Sequence, residues 1–475
     1  MIELTLAETA AAAGGTLHDA DPGTRVTGGV EYDSRKVEPG GLFLALPGEH
    51  VDGHEFARSA VDRGAVAVLC TRTVPVPRIE VTDGIAAVTA LATAVAGRLP
   101  ATVLGITGSS GKTSTKDLLG QVLAHAGKTV APAGSHNNEL GHPYTVLQAD
   151  ERTRFLVLEL GARGVGHIAH LTRIAPPDIG LVLNVGTAHL GEFGSRESIA
   201  RAKGELVEAL PADGVAVLNA DDPLVMAMAK RTAARVVTFG NRADADVRAS
   251  DIVLDDLGRP SFSLHADGGA AKVRLRLVGA HHVANALAVT AAAGAVGMSL
   301  AETAGALADA APASRWRMEV TERDDGVMII NDAYNANPES MRAALETLAA
   351  VTRSRGGRAI AVLGQMAELG AAERAEHERI GRLAADLDIA RVVTVGDTAR
   401  PIGGAAALER SWGGEAQSVP DADAAIAAVR ADMRPGDVVL VKASRAASLE
   451  RVALAIAEDG GNRDPAEARG DDAWA

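Results

Sequence analysis

The apolar run Thr102-Val103-Leu104-Gly105-Ile106 passes directly into Thr107-Gly108-Ser109-Ser110-Gly111-Lys112-Thr113, and Leu118, Leu119, Val122 and Leu123 follow at helical spacing. A strand, a glycine turn and a helix in that order leave little choice of architecture. The strand must lie inside a sheet and the helix must pack back onto it. Glycines at 108 and 111 let backbone N–H groups approach an anion, the helix N-terminus adds positive potential, and Lys112 reaches toward terminal phosphates. The Thr113 hydroxyl is then placed to ligate Mg2+. The strict pattern asks for glycine where Ile106 stands, so this is the shorter form T-G-x-x-G-K-T. A glycine turn with a solvated lysine is the plainer reading, and the flanking strand and helix weigh against it. Thr107, Gly108, Ser109, Ser110, Gly111, Lys112 and Thr113 are therefore the candidate phosphate loop. Glu159, closing the run Phe155-Leu156-Val157-Leu158-Glu159-Leu160, is either a second cation ligand from a neighbouring strand or a strand-end carboxylate.

Further strand candidates, at 179–184, 215–218 and 236–239, alternate with helical patterns, which predicts a largely parallel, doubly wound α/β sheet around the loop. The chain has 475 residues, too many for one core of ordinary size. Residues 26–70 hold short turn-rich segments, a helical stretch at 56–64 and a strand at 65–70, which reads as a small N-terminal α/β domain ending near Arg98-Leu99-Pro100. Ala311-Pro312-Ala313 reads as a hinge, beyond which strands at 359–364, 392–396 and 438–441 alternate with alanine-rich helices as a Rossmann-like third domain. The boundaries expected are 1–98, 99–312 and 313–460, with 461–475 a disordered tail of Gly, Pro and charges. There is no internal repeat.

With 61 Asp+Glu against 47 Lys+Arg the net charge is -14, which disfavours nucleic acid or an anionic membrane as partner and requires a local basic pocket for any anionic substrate. No run of 18 apolar residues and no basic-then-apolar start is found, so a cytoplasmic protein without membrane insertion is expected. Cys70, the single cysteine, ends a strand and has no internal disulfide partner.

Taken together, motifs over nearly the whole chain resemble the Mur ligase family. They are Asp33-Ser34-Arg35-Lys36-Val37-Glu38-Pro39-Gly40-Gly41-Leu42-Phe43 with Gly48-Glu49-His50-Val51-Asp52-Gly53-His54, the phosphate loop, Asn137-Asn138-Glu139, Glu159-Leu160-Gly161-Ala162, Asn184-Val185-Gly186-Thr187-Ala188-His189-Leu190, Ala202-Lys203-Gly204-Glu205, Asn331-Asp332-Ala333-Tyr334-Asn335-Ala336-Asn337-Pro338, Val362-Leu363-Gly364-Gln365-Met366 and Lys442-Ala443-Ser444-Arg445. The Y-N-A-N-P form is similar to the member that adds D-alanyl-D-alanine to a UDP-N-acetylmuramoyl-tripeptide in wall-precursor synthesis. The A-H-x-P-D and D-N-P-R motifs of the relative that adds the third peptide residue are absent.

The resemblance implies an ATP-dependent ligase that activates a carboxylate as an acyl phosphate, works as a monomer, and uses ATP and two Mg2+ ions. It implies Thr113 at one ion, and Glu159 and His189 at the other, with Lys203 converted by CO2 to a carbamate able to reach the metal. Lys112, His189 and Lys203 are thus the implied catalytic residues. Asn285 in Gly279-Ala280-His281-His282-Val283-Ala284-Asn285 is implied to read adenine, and Arg317 and Asp332 to meet the phosphates and ribose across the hinge. Ser34, Arg35 and Asn138 are implied on the UDP-linked substrate, and Asn335, Asn337, Lys442, Ser444 and Arg445 on the dipeptide. Two positions depart from the family: His282 stands where asparagine is usual, and Ala443 where glycine is, so the loop at 443 must avoid backbone conformations that only glycine tolerates. Another Mur-type ligase and a catalytically silent nucleotide-binding relative are the competing readings.

Overall fold

The computed structural model describes residues 1–48, 51–188 and 190–458. Glu49, His50 and His189 of the motifs above, and the tail from 459, lie outside those residues. Three main sheets follow one another along the chain, with a two-stranded ribbon of Leu4–Thr5 and Arg25–Val26 beside the first, so the α/β, three-unit architecture expected from the sequence is what the chain adopts.

The central sheet has nine strands in the order Gly269–Arg274, Pro260–Ala266, Val247–Leu254, Arg235–Gly240, Val215–Asn219, Ile179–Val182, Thr102–Thr107, Phe155–Glu159 and Thr129–Val130. Seven run parallel, and a hairpin at 260–274 closes one edge antiparallel. Successive strand residues face opposite sides, and both sides are covered. Leu104, Ile106, Phe155 and Val157 pack under the helices Lys112–Ala124 and His282–Ala295, whereas Leu156, Leu158 and Val182 pack on the other face with Ile168, Leu171 and Leu206. Burial on both faces is why these strands read as continuous apolar runs. The second of these cores continues into the N-terminal unit through Val88, Leu91 and Val95 of the helix Gly84–Ala96.

The N-terminal sheet has five strands in the order Thr16–His18, Arg78–Glu80, Ala67–Cys70, Leu42–Ala45 and Val30–Glu31, parallel except for the first pair. The helical stretch expected at 56–64 is the helix Ala57–Asp62, preceded by a short 3-10 turn at Gly53–Phe56. Cys70 is buried there, and burial pushes its thiol up to about 11, so it stays an uncharged core residue.

The C-terminal sheet orders Glu319–Glu322, Met328–Asn331, Val438–Lys442, Ala359–Leu363, Arg391–Val395 and Glu415–Val419, parallel after the first pair. The expected hinge lies between the helix Leu300–Asp309 and the strand Glu319–Glu322. It is tied to the phosphate-loop helix by Gln121, whose side chain bonds both the N–H and the carbonyl of Ala311 at 3.0 and 2.9 Å. Among the described residues no helix is long and apolar enough to cross a membrane.

Candidate active site

The carboxyl ends of the parallel strands in the central and C-terminal sheets face one another across a cleft of about 740 Å3. Open α/β sheets place their ligand crevices there, because the loops leaving strand ends are free of ladder bonds. The phosphate loop forms one wall. Gly111, at φ 80°, caps the helix Lys112–Ala124, and a side chain at this position would also run into Asn285, whose Oδ1 lies 3.0 Å from where its Cβ would be. The adenine-reading candidate of the helix His282–Ala295 therefore touches the loop directly. Thr107 and Gly108 sit behind the wall, Thr107 bonded to the Leu160 carbonyl at 3.0 Å.

The candidate anion-binding groups of the loop hold protein partners. The N–H groups of Ser109 and Ser110 both donate to Asn184 Oδ1, at 2.9 and 3.0 Å, and the Lys112 ammonium donates to the Gly108 carbonyl at 2.8 Å. Burial lowers the Lys112 pKa, with Glu159 opposing that shift and Arg317 adding to it. Nearby, Glu159 is 2% exposed at the end of its strand. Thr113 Oγ1 donates to its Oε2 at 2.9 Å, and Ser135 and Asn137 donate to its Oε1 at 2.9 and 2.7 Å. Burial alone would raise the Glu159 pKa, but Lys112, Arg317, Lys116 and the Asn137 bond together leave it lowered and the carboxylate charged. Lys116 fastens the loop that carries Ser135 and Asn137, donating to the carbonyls of Pro132 and Gly134.

A hydroxyl and an anionic carboxylate in contact beside a phosphate loop suit a hard divalent cation that takes its remaining ligands from phosphate and water. Among the described residues no group of three or more His, Cys, Asp or Glu is arranged to hold a metal by itself. Such an ion would therefore depend on the nucleotide's own oxygens.

Lys203 is 4% exposed in the helix Arg196–Glu208 and has no hydrogen bond or ion pair among the described residues. Its pKa is lowered strongly, first by burial and then by Lys112. It does not line the cleft.

From the C-terminal side, Asp332 and Lys442 leave adjacent parallel strands and pair at 2.5 Å. Lys442 also donates to the Asn335 carbonyl at 2.8 Å. Burial lowers its pKa, with Asp332 opposing that shift. Ser444 Oγ accepts from the Ala367 N–H at 2.9 Å, and Asn337 caps the helix Pro338–Arg355 while its amide donates to the Ser109 carbonyl at 3.3 Å. Asn335 is exposed, and Arg445 lines the cleft with an ion pair to Glu450 at 3.0 Å. Arg317 stacks on Tyr334 with its guanidinium carbon 4.2 Å from the ring centre. Asn138 faces the cleft, its Oδ1 turned to the Gly141 N–H at 2.8 Å. Asn285 and Asp332, from opposite sides of the hinge, line the same space. Ser34 and Arg35 do not. Ser34 is buried and Arg35 pairs with Asp33 at 2.7 Å.

Both departures from the family pattern are accommodated. His282 is buried in contact with His281, ring centres 4.3 Å apart, and its Nδ1 meets the Asn285 amide at 3.3 Å. Burial brings the His281 pKa down to about 4, so that ring is neutral near pH 7. Ala443 is not among the residues with positive φ, and Gly364 gives it room, since a Cβ at 364 would fall 2.6 Å from that of Ala443.

Two residues of consequence carried no assignment from sequence. Asn184 stood inside a quoted motif without a role. Glu339, one residue beyond another, accepts from Thr187 N and Oγ1 at 2.8 and 3.0 Å and so joins the C-terminal unit to the central one.

Three family descriptions match in chain order: "Mur ligase family, catalytic domain" over residues 14–96, "Mur ligase middle domain" over 106–293, and "Mur ligase, glutamate ligase domain" over 316–445. The UDP-N-acetylmuramoyl-tripeptide–D-alanyl-D-alanine ligase of Mycobacterium tuberculosis is 54% identical, covering 97% of this chain and 98% of that one. The chain belongs to the Mur ligase family. The enzyme of the same name from Escherichia coli is 36% identical over 97% of the chain and all of its own length. Among solved Mur ligases, a MurF crystal structure from Acinetobacter baumannii superposes with a TM-score of 0.83 at 31% identity, covering 96% and 99% of the two chains. A Thermotoga maritima MurF in complex with ADP does so with a TM-score of 0.77 at 30% identity, covering 91% and 98%.

Proposed function

We propose that this Mur ligase joins D-alanyl-D-alanine to UDP-N-acetylmuramoyl-tripeptide at the expense of ATP, giving the pentapeptide precursor of peptidoglycan. The observation that carries the proposal is the cleft itself. A phosphate loop with Thr113 and Glu159 on one wall faces the Y-N-A-N-P segment with Asp332 and Lys442 on the other. The relatives that share this chain over nearly its whole length bear the name of that reaction, and one solved relative binds ADP.

In this reading residues 1–98 serve the uridine nucleotide, 99–312 ATP and 313–460 the incoming amine. A carboxylate oxygen of the tripeptide attacks the γ-phosphorus, ADP leaves, and an acyl phosphate forms. The dipeptide amine then attacks the acyl carbon, the C–N bond forms, the C–O bond to phosphate breaks, and inorganic phosphate departs with loss of one proton from nitrogen. Both steps gather negative charge, so the protein's part is positioning and fixed positive potential. Lys112 exchanges the Gly108 carbonyl for phosphate oxygens, and the Ser109 and Ser110 N–H groups exchange Asn184 for the same. Asn285 orients the base, while Arg317 and Asp332 reach the nucleotide from across the hinge. Mg2+, when bound, neutralises phosphate charge, held by Thr113 and by Glu159, the latter with His189 and a carbamate on Lys203 for a second ion. Burial lowers the Lys203 pKa and so favours the neutral amine, the form that reacts with CO2. Ser34, Arg35 and Asn138 act on the UDP-linked substrate, and Asn335, Asn337, Lys442, Ser444 and Arg445 on the dipeptide.

A monomer working in the cytoplasm, where ATP is at hand, completes the reading. The test is phosphate release from ATP with UDP-N-acetylmuramoyl-tripeptide and a panel of amines. Turnover that requires D-alanyl-D-alanine is expected. Turnover with a dipeptide precursor and a diamino acid, or none with any amine, overturns it.

A further inference from the structure

The hinge ends in a turn whose backbone its side chains oppose. Trp316 and Met318 both occupy the left-handed region, at φ 58° and 51°, which is costly for bulky residues and persists only where the surroundings over-determine it. The turn is pinned at three points. Trp316 N donates to Glu319 Oε2 at 3.0 Å, its carbonyl accepts from Tyr334 N at 3.2 Å, and Met318 N donates to Asp332 Oδ1 at 3.1 Å. So held, the turn sends Arg317 onto Tyr334 in the cleft and lays the Trp316 indole against the guanidinium of Arg445, 4.6 Å from its carbon to the ring centre.

Arg445 lines the cleft and keeps its side chain 29% exposed. Only its Nη1 is engaged, by Glu450 at 3.0 Å, and no acceptor among the described residues takes Nε or Nη2. An aromatic face fixes the plane of a guanidinium without consuming any N–H donor, whereas a polar anchor would use up part of the fork. The remaining edge of Arg445 thus stays available for a planar anion, the geometry in which arginine grips carboxylates.

We propose that Trp316 is the positioning residue of a carboxylate receptor. It holds Arg445 so that its unused edge meets the terminal carboxylate of the incoming dipeptide, and it thereby sets the preference for an amine substrate that ends in a free acid. The proposal rests on the reading of the amine substrate given above. If that reading fails, the wild-type enzyme already shows no turnover with D-alanyl-D-alanine, before any variant is compared.

The experiment measures steady-state kinetics of the full chain and of Trp316→Leu, Trp316→Phe and Trp316→Gly, with D-alanyl-D-alanine and with its C-terminal amide. Trp316→Leu should raise KM for the acid by about five- to twenty-fold, the scale of a lost cation–π contact at a half-buried site. KM for ATP and for the UDP-linked substrate should stay within about two-fold, and the preference for acid over amide should fall by the same factor as the acid's KM rises. Trp316→Phe should restore most of it. Trp316→Gly relieves the left-handed backbone yet lacks the ring, so it should resemble the leucine variant, and it stands in for that variant should leucine prevent folding. In an Arg445→Ala background, Trp316→Leu should change the dipeptide KM by less than about two-fold. An unchanged acid-to-amide ratio, a rise in all three KM values together, or full additivity with Arg445→Ala overturns the proposal.

Discussion

Lys203 is a buried amine with no hydrogen bond or ion pair among the described residues, and such a group should cost the free protein stability that it repays only in function. Replacing it with methionine keeps most of the side-chain volume and removes the nitrogen. An unsatisfied buried polar group costs about 1–3 kcal/mol, and a volume-conserving swap in a packed site costs less than about 1.5 kcal/mol. Taking the middle of the first range, about 2 kcal/mol, less up to about 1.5 kcal/mol, Lys203→Met should be more stable than wild type near pH 7 by about 0.5–2 kcal/mol. For a unit of about 150–250 residues that is a Tm increase of roughly 1–8 °C. The sign of its pH dependence follows from the lowered pKa. Between the folded value and the ordinary 10.5 the unfolded chain holds a proton that the folded chain does not. Wild-type stability therefore rises with pH through that window, by up to about 1.4 kcal/mol per unit, and the advantage of methionine shrinks and then reverses as pH approaches the ordinary value. Scanning fluorimetry in CO2-depleted buffer at pH 7 and 9.5 measures both. The same variant should be inactive in the ADP assay. A variant less stable than wild type by the same amount at both pH values would refute the reasoning.

Three further outcomes are expected. Lys112→Ala should fold with a near-native circular dichroism spectrum and lose turnover by on the order of 100- to 1000-fold, because a preorganised charge at the phosphates is removed; wild-type-like ADP production would contradict its role. Glu159→Gln should keep the bond from Thr113 but lose the charge, so its Mg2+ requirement, read from titrations of activity, should shift to higher concentration. Gly186→Ala would set a Cβ 2.5 Å from Glu339 Cδ, pushing that carboxylate off Thr187. X-ray scattering should then show a larger radius of gyration without ligand, partly reversed by an ATP analogue plus UDP-linked substrate, and unchanged curves would count against closure through Glu339.

The parallel strands were legible because burial on both faces writes them as apolar runs: 102–106 became Thr102–Thr107, and 438–441 became Val438–Lys442. The hairpin edge of the central sheet was not. The strand beside it, Val247–Leu254, is fully buried only at Val247 and shifts register between Ser250 and Val253, with Asp251 at φ 53°. Glu415–Val419 is exposed at four of its five positions and so has no run to read. The phosphate loop was legible because strand, glycine and helix are contiguous. The roles of Asn184, Glu339 and Trp316 were not, since each depends on a residue at least 70 positions away. Ser109 follows the strand paired with the one that Asn184 leaves, Thr187 lies in another unit from Glu339, and Arg445 follows a strand two places along the C-terminal sheet from the one that Trp316 precedes.

The acidic balance of the whole chain and the chemistry of its cleft are reconciled by where the cations lie. Of 47 Lys and Arg, five line the cleft, Lys112, Arg163, Arg317, Lys442 and Arg445, against Glu139, Glu159, Asp332, Glu339 and Glu368, so the cleft is balanced where the whole chain carries a net charge of -14. They act on one another as well as on ligands: Lys112 pushes the Lys203 pKa down, and Arg317 does so to both Lys112 and Lys442. Of these pairs only Arg317 with Lys112 crosses between the units, and the attraction of Arg317 to Glu159 opposes that repulsion. Among the described residues, contacts that cross are made by groups that add no positive charge, the Glu339 carboxylate on Thr187, the Asn337 amide on the Ser109 carbonyl and the Gly191 N–H on the Glu368 carbonyl. A polyphosphate entering the cleft would meet Lys112 of one unit and Arg317 of the other, so nucleotide binding and the approach of the C-terminal unit would favour each other without any need for a dedicated relay between them.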